Sequence, residues 1–307
     1  MTIADIKSMV QKNGIFYLTG FFLLLGIKYF YSRAAVSDLR WILAPTAGWV
    51  RILSGIPFVY EPGAGYVNHS FRFLIAASCS GVQFLLIAFA TLLYSFVHRM
   101  PTKGKKMCWT ACSFLFSYVY TVLANGIRIV LSLYLPLSLP RELFSGGWLT
   151  PDRFHTITGA VVYFTALFIL YRLAAAFTGQ PPLTRQPARS GCVPASAPVL
   201  TFLRRCLPPL FWYFTIALGI PFLNGAFGNN QKAFTEYALI LAGTGLLLLL
   251  PAGLATLFPG RRQKGFAGGV TLNRRRVTRT VLNRTGGTFF TSGLNLGRQT
   301  ADRITGL

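Results

Sequence analysis

The sequence predicts an all-α protein, a polytopic membrane bundle of about six transmembrane helices with a small extracytoplasmic cap. Of the 307 residues, 53% are hydrophobic and only 12% are charged, about half the charged share of a soluble domain. Mean hydropathy is +0.50. Six apolar runs also approach or exceed the roughly 20 residues that cross a bilayer as a helix: 14–31, 82–97, 108–135, 156–177, 210–227 and 237–258.

The first run and the segment after it predict a retained helix followed by the cap. Lys7 and Lys12 precede the run, as in a signal peptide, but no small-x-small cleavage site follows it, so we expect the helix to be kept. Next, "DLRWILAPTAGWVRILSG" has near-helical spacing, with Trp41 and Trp49 suited to the lipid headgroup level. The stretch "PFVYEPGAGYVNHSFRFLI" predicts two short strands around a Pro-Gly-Ala-Gly turn.

The composition divides the chain into four segments. We expect residues 1–177 to form a membrane-embedded core of four spans, and 178–206 to form a cytoplasmic Pro-rich linker. Two additional spans occupy 207–258. The basic tail, 259–307, is rich in Gly, Thr, Asn and Arg without sustained periodicity, and we expect it to be disordered or loosely held to anionic lipid.

The net charge of +23 is explained by membrane orientation, so we expect the lipid bilayer and no nucleic acid as a partner. The short loop 98–107 carries four basic residues, and the segments that alternate with it carry most of the acids: Asp38, Glu61, Glu142, Asp152 and Glu236. The distribution predicts that both termini are cytoplasmic. Cys79, the end of the third span and His155 then meet at the outer face.

Two ionisable residues need a reason to lie in or near the membrane. Arg128 sits between isoleucines in "ANGIRIVLSLYL" and stays charged, so it requires water, a carboxylate or a substrate oxygen. Asn125 precedes it by three residues on the same helical face; a structural ion pair is an equal alternative. His155 opens the fourth span, with Asp152 as N-cap or imidazole partner. Lys28 is expected to snorkel.

Among the five cysteines, only Cys79 is predicted to face outward. Ser80 and Gly81 beside it are small, so a substrate backbone has room to approach. Cys108 and Cys112 share a helix face but lack further metal ligands, and we expect neither metal nor cofactor. The remaining candidates carry weaker patterns: His69 in the outer segment, His98 in the basic loop, Cys192 and Cys206 in the linker.

A thiol, an imidazole and a guanidinium on three different helices at one depth predict thiol chemistry. A neighbouring cation or imidazole favours the reactive thiolate. An imidazole can take the thiol proton and later protonate a leaving amine. An arginine can stabilise the oxyanion of a tetrahedral intermediate.

Three motifs carry a family resemblance: "CSG" at 79–81, "NGIRI" at 125–129 and "HTITGAVVYF" at 155–164. In order and spacing they resemble the exosortase/archaeosortase family of membrane cysteine transpeptidases, and the short chain and compact core resemble its exosortase K subgroup. The resemblance implies Cys79 as nucleophile, Arg128 as the stabilising cation and His155 as acid/base. We expect Ser80, Gly81, Asn125 and Asp152 to support them.

The resemblance also implies substrates and a location. Family members cleave secreted proteins at a C-terminal signal made of a short motif, a transmembrane helix and a basic cluster, through a thioester, and transfer them to a surface acceptor. The expected location is the bacterial cytoplasmic (inner) membrane, with the active site facing outward. Family members commonly have about eight helices, against six counted here, and nothing after residue 177 matches a family pattern.

Two other functions fit parts of the sequence. In a transporter or channel, Arg128 and Asn125 would line an anion path and Cys79 would only pack; the intramembrane relays and paired broken helices of transporters are missing. A lipid acyltransferase with a thioester intermediate would share the Cys79–His155 pair.

Overall fold

The computed structural model describes residues 3–140, 147, 149–179 and 197–257, and it is a helical bundle with one small sheet. The helices are α1 Ile3–Arg33, α2 Arg40–Ser54, α3 Val82–Phe96, α4 Lys103–Ser138, α5 Pro151–Phe177, α6 Ala197–Phe214, α7 Ile220–Leu223, α8 Ala226–Asn229 and α9 Gln231–Leu257. The described part holds six stretches long and apolar enough to cross a membrane: Lys7–Arg33, Ala77–Arg99, Lys103–Ser138, Asp152–Phe177, Cys206–Leu223 and Gln231–Leu250. The predicted all-α polytopic bundle is confirmed. The predicted tail, 259–307, and most of the linker lie outside the described residues.

Helix α3 is the central helix of the bundle. It is apolar around almost its whole circumference and nearly all of its side chains are buried, as expected for a helix without a polar face. Helices α1, α4, α5 and α6 pack around it. The largest fully buried side chains include Phe84, Phe89 and Phe96 of α3 and Phe164 of α5. Because α3 begins at Val82, three residues after Cys79, the core holds the backbone that follows that residue.

The bundle exposes large apolar side chains along its spans, as a lipid-facing surface requires. Among the described residues they come from every span except the central one, α3, for example Leu18, Phe22, Leu115, Phe116, Ile169, Phe211, Leu239 and Leu246. In water such an area would be a strong liability. In a bilayer it contacts acyl chains, which agrees with a multi-pass membrane protein.

The last two spans share one apolar core with the first four. Tyr213 and Ile216, at the end of α6 and in the π-helical turn Thr215–Gly219, are buried in the same cluster as Phe84 and Phe164. Leu241 of α9 belongs to that cluster too. Segment 206–250 is therefore packed directly against the helices of segment 1–177.

Helix α2 runs alongside the second half of α4, forming the helical part of the cap. Three hydrogen bonds follow one another in the same order along both helices: Tyr118 Oη to the Trp41 carbonyl (2.7 Å), Trp49 Nε1 to the Leu123 carbonyl (3.2 Å) and Tyr134 Oη to the Ser54 carbonyl (3.2 Å). The Trp49 ring also occupies the place of a Cβ on Gly126. Trp49, expected at the headgroup level, is thus held by α4.

A three-stranded antiparallel sheet completes the cap. Its strands are β1 Val59–Glu61, β2 Gly65–Asn68 and β3 Phe73–Ile75, in that spatial order. The predicted two strands around the turn are confirmed, and Gly63 in the turn has φ 81°. Strand β3 was not predicted; it pairs with β2 and leads into the turn that carries Cys79.

Candidate active site

Cys79 ends a short 3₁₀ turn, Ala77–Cys79, between the sheet and α3. Tyr31 of α1 donates a hydrogen bond to the Ala77 carbonyl at 3.4 Å. The thiol is free and only 9% of the residue is exposed, because it packs with apolar residues of the cap and of α3.

The surroundings of Cys79 are closely packed on the side of Ser80 and Asn125, so the predicted open space is not found on that side. Ser80 is fully buried. A Cβ on Gly81 would lie 3.0 Å from Cγ of Asn125, and Gly81 has φ 75°, in the left-handed region that favours glycine. Gly81 therefore admits the Asn125 side chain, and it also lines the cavity described below.

Asn125 connects the Cys79 turn to α4. The residue is fully buried, and its Nδ2 donates a hydrogen bond to the Cys79 carbonyl at 2.6 Å. Its Oδ1 accepts from the Tyr163 hydroxyl at 2.7 Å and from Arg128 Nη1 at 3.3 Å. One amide thus links the backbone of the predicted nucleophile to the predicted cation.

Arg128 is a buried cation held by neutral groups. Only 8% of it is exposed, and Nη1 also donates to the Tyr163 hydroxyl at 3.0 Å. Among the described residues the ion pairs are His69–Glu61 and Arg153–Glu236; none involves Arg128, so the alternative of a structural ion pair finds no support there. Its Nε is buried without a hydrogen-bond partner within the same residues.

His155 contacts Arg128 directly, with Nη2 of the arginine 2.5 Å from Nε2 of the imidazole. Arginine only donates, so Nε2 must accept. The imidazole is then neutral and carries its proton on Nδ1. The structure therefore brings Arg128, His155 and the Cys79 turn together from three helices.

Asp152 does not have the predicted capping role. The N-cap of α5 is Thr150, whose hydroxyl accepts from the Arg153 amide at 3.3 Å. The Asp152 side chain is exposed in the first turn. Within the described part of the chain it makes no hydrogen bond to His155, so only a longer-range electrostatic effect connects them.

A cavity of about 280 Å³ opens beside this cluster. Arg128, His155 and Tyr163 line it, as do Ser78 of the Cys79 turn and Gly81 just after that turn; Cys79 itself is not among the lining residues. The last two spans supply further lining residues: Tyr213, Ile216, Ala217, Ile220, Pro221, Tyr237 and Leu241. Its described lining contains lysine, arginine and histidine but no carboxylate, so the cavity is electropositive.

Several lining residues were missed or assigned otherwise from sequence. Lys28, predicted to snorkel, lines the cavity and lies 5.6 Å from the centre of the Tyr31 ring. Tyr163 stacks on Phe84 with ring centres 4.6 Å apart. His155, Gly159 and Tyr163 recur every four residues on one face of α5, and this spacing was a usable signal.

The other cysteines and histidines that the structure describes lie away from the cluster. Cys108 and Cys112 share a face as predicted, with sulfurs 3.8 Å apart near the start of α4. Cys206 is buried in α6, and Cys192 lies outside the described residues. His98 is in the turn after α3, and His69 pairs with Glu61 at the sheet.

Comparison with known proteins gives a match to one family. The family model described as transmembrane exosortase matches residues 13–172, just over half of the chain. That range includes Cys79, Arg128 and His155 and ends before α6. No curated protein and no solved structure matches, and the exosortase K subgroup stays a prediction. By this match, the chain belongs to the transmembrane exosortase family.

Proposed function

We propose that this protein is a membrane-embedded cysteine protease/transpeptidase that cleaves C-terminal sorting signals of secreted proteins and transfers them to a surface acceptor. The observation that supports it best is the chain of contacts His155–Arg128–Asn125–Cys79 at the edge of an electropositive cavity. It connects an acid/base and a cation to the backbone of the residue that carries the proposed nucleophile, and acyl transfer through a thiol requires these three groups.

The proposed reaction has two steps. The Arg128 Nη2–H leaves Nε2 of His155, the Cys79 thiol gives its proton to that nitrogen, and the sulfur attacks the carbonyl carbon of the scissile amide. The C–N bond then breaks, the amine leaves with the proton from His155, and a thioester remains. In the second step an acceptor amine, or a similar nucleophile, attacks the thioester, the C–S bond breaks and the thiol is restored.

Arg128 stabilises the negative charge that develops on the carbonyl oxygen. It is buried, it has no carboxylate partner among the described residues, and it retains an unpartnered donor. Preorganised donors of this kind act strongly where water is excluded. Asn125 positions Arg128 and the Cys79 turn, Gly81 makes room for Asn125, and Ser80 fills the core.

The burial of Cys79 adds a requirement to this mechanism. Its side chain packs in the apolar cluster of the cap, and its neighbours Ser78 and Gly81 reach the cavity. A rotation of the Cys79 side chain, or a small shift of the 3₁₀ turn, brings the sulfur to a bound substrate. A thiol that is buried until substrate arrives is also protected from oxidation.

The membrane setting suits an anchored substrate. A protein held by its own C-terminal helix is confined to the bilayer, which raises its local concentration at a cavity between spans. The proposed orientation has both termini in the cytoplasm of a bacterial inner membrane and the cavity facing outward, as the basic loop 98–107 suggests.

The experiment compares wild type and Cys79→Ala in the source organism. We expect secreted proteins that end in a motif, an apolar helix and a basic cluster to keep that segment in the variant, seen as a mass increase. The matched control is Cys112→Ala, which removes a free cysteine of α4 instead. We expect this variant to retain processing. Unchanged processing in Cys79→Ala contradicts the proposal. Loss of small-anion transport in Arg128→Gln but not in Cys79→Ala would favour a channel, and loss of lipid acylation in Cys79→Ala would favour an acyltransferase.

A further inference from the structure

We infer that a second opening, at the other end of α3 from Cys79, binds the phosphate headgroup of an anionic phospholipid, with Arg99 and His98 as its charged and polar contacts. This opening, the basic groove, has a volume of about 450 Å³ and lies between the end of α3 with its following turn, α5 and α6. Helix α3, whose 15 residues span about 22 Å, separates it from the Cys79 turn. The groove is therefore a site distinct from the proposed active site.

The basic groove lies where two spans reach the membrane surface. The span Ala77–Arg99 ends in it, and the span Cys206–Leu223 begins beside it. Tyr94 and Trp212 line it and stack on each other, with ring centres 4.5 Å apart, and Tyr171 of α5 adds a third aromatic ring. Tyrosine and tryptophan are typical of the headgroup level of a bilayer. The groove is thus at the depth where lipid phosphates lie.

The charge of the groove is complementary to a phosphate. Arg99 and His98 line it, and no carboxylate does so among the described residues. The loop 98–107 adds three lysines and no acidic residue. The guanidinium carbon of Arg99 lies 4.9 Å from the centre of the Phe96 ring, which holds this side chain at the groove. Arginine forms strong, often bidentate hydrogen bonds with phosphate, and basic pockets between spans are typical sites for anionic headgroups.

The apolar part of the groove favours a phospholipid over free phosphate. Leu207 and Phe211 line the groove and are 59% and 58% exposed. They are four residues apart in α6, so they share one face of the helix, and an acyl chain can lie along that face. A cavity of roughly 150 Å³ holds a benzene molecule, so the groove has room for a phosphate together with its glycerol.

A lipid in the groove contacts α3, α5 and α6 at the same time. Helix α6 begins the last two spans, and it packs against α3 and α5. A ligand that binds only the folded chain stabilises it by mass action. We therefore expect an anionic phospholipid to raise the unfolding temperature more than a zwitterionic one does.

The test is native mass spectrometry of the full chain, delipidated in a neutral detergent and titrated with phosphatidylglycerol or phosphatidylcholine. One phosphatidylglycerol molecule should bind more tightly than the rest, and phosphatidylcholine should show no such site. Arg99→Gln should weaken this binding about tenfold, as for loss of one hydrogen bond to a charged group. The matched control is Lys103→Gln, since Lys103 belongs to the same loop but does not line the groove; it should bind like wild type.

A second variant makes the test independent of Arg99. Leu207→Glu places a carboxylate at an exposed position of the groove, and it should also weaken the binding of phosphatidylglycerol. The lipid-free unfolding temperature of each variant shows whether it is folded.

Three results would overturn the lipid site, and none of them affects the proposed cleavage reaction. The first is binding like wild type by either groove variant in its folded form. The second is equal weakening by Lys103→Gln and Arg99→Gln, which would indicate diffuse attraction to the basic loop. The third is displacement of phosphatidylglycerol by excess inorganic phosphate, which would indicate a site for free phosphate.

Discussion

Arg128 donates a hydrogen bond from Nη2 to Nε2 of His155 across 2.5 Å, between α4 and α5. A permanent cation thus contacts a neutral base in a mostly buried site. The two residues are 27 positions apart in the chain, and the turn that carries Cys79 is connected to them through Asn125. The geometry of each of the three proposed catalytic groups therefore depends on the others.

Arg128→Lys should abolish most activity although it keeps the charge. Lysine offers a compact ammonium and cannot reproduce the planar fork that reaches Asn125, Tyr163 and His155 together. We expect kcat to fall about 10²- to 10³-fold. The assay uses the full chain reconstituted in liposomes and a reporter that carries the C-terminal segment of a processed protein. Arg128→Gln should lose at least as much. Activity of the lysine variant near wild type would show that only charge matters.

Asn125→Asp should distinguish the accepting role of the Asn125 side chain from its donating role. A carboxylate still accepts from Arg128 and Tyr163, but it cannot donate to the Cys79 carbonyl. We expect reduced processing with the fold retained.

Asn125→Leu should lower the free energy of unfolding by about 1–3 kcal/mol, because it leaves buried polar groups unsatisfied. Thermal unfolding in detergent and reporter cleavage measure the two effects. Equal stability of Leu and wild type would contradict this network.

Gly126→Ala should loosen the cap. Its added Cβ would overlap the Trp49 ring, and overpacking of this kind typically costs about 1–3 kcal/mol. The control is Gly104→Ala, a helical glycine of α4 with open space around it. Thermal unfolding should show a lower midpoint for Gly126→Ala alone. Equal midpoints would mean that α2 is not docked through Trp49.

The proposed orientation can be tested with two exposed positions in a cysteine-free background. His69, whose side chain is 76% exposed, lies at the sheet of the cap. Lys103 is the first residue of α4, at the end of the helical bundle that is predicted to face the cytoplasm. A membrane-impermeant thiol reagent on intact cells should label His69→Cys, and Lys103→Cys should react only after lysis. The reverse pattern would place the cavity on the cytoplasmic side.

The sequence was sufficient to predict the spans and the helices that carry the site. Long apolar runs have few alternatives to transmembrane helices, and an arginine inside one, Arg128, needs a polar environment. The three-residue spacing to Asn125 correctly placed both side chains on one face. The near-helical spacing of apolar residues predicted helix α2, and the glycines of the Pro-Gly-Ala-Gly segment predicted the β1–β2 turn.

The remaining features depend on which helices meet, and local patterns do not contain that information. Tyr163 and Gly159 look like ordinary residues of an apolar helix until α4 is packed against α5. Asp152 seemed a good N-cap, but Thr150 with Pro151 at the first position supplies a stronger start. The wall from Tyr213, Ile216 and Tyr237 could not be assigned because it follows a linker and lies outside the family match.

Mass spectrometry of the enzyme–substrate adduct decides whether Cys79 is the nucleophile. Reconstituted wild type, mixed with the reporter and quenched in acid, should yield a Cys79 peptide that carries the truncated reporter and releases it with hydroxylamine, as a thioester does. Cys79→Ala should yield no adduct and no cleavage, while Cys112→Ala yields both. Cleavage of the reporter by Cys79→Ala, or an adduct on another residue, would contradict the proposed mechanism.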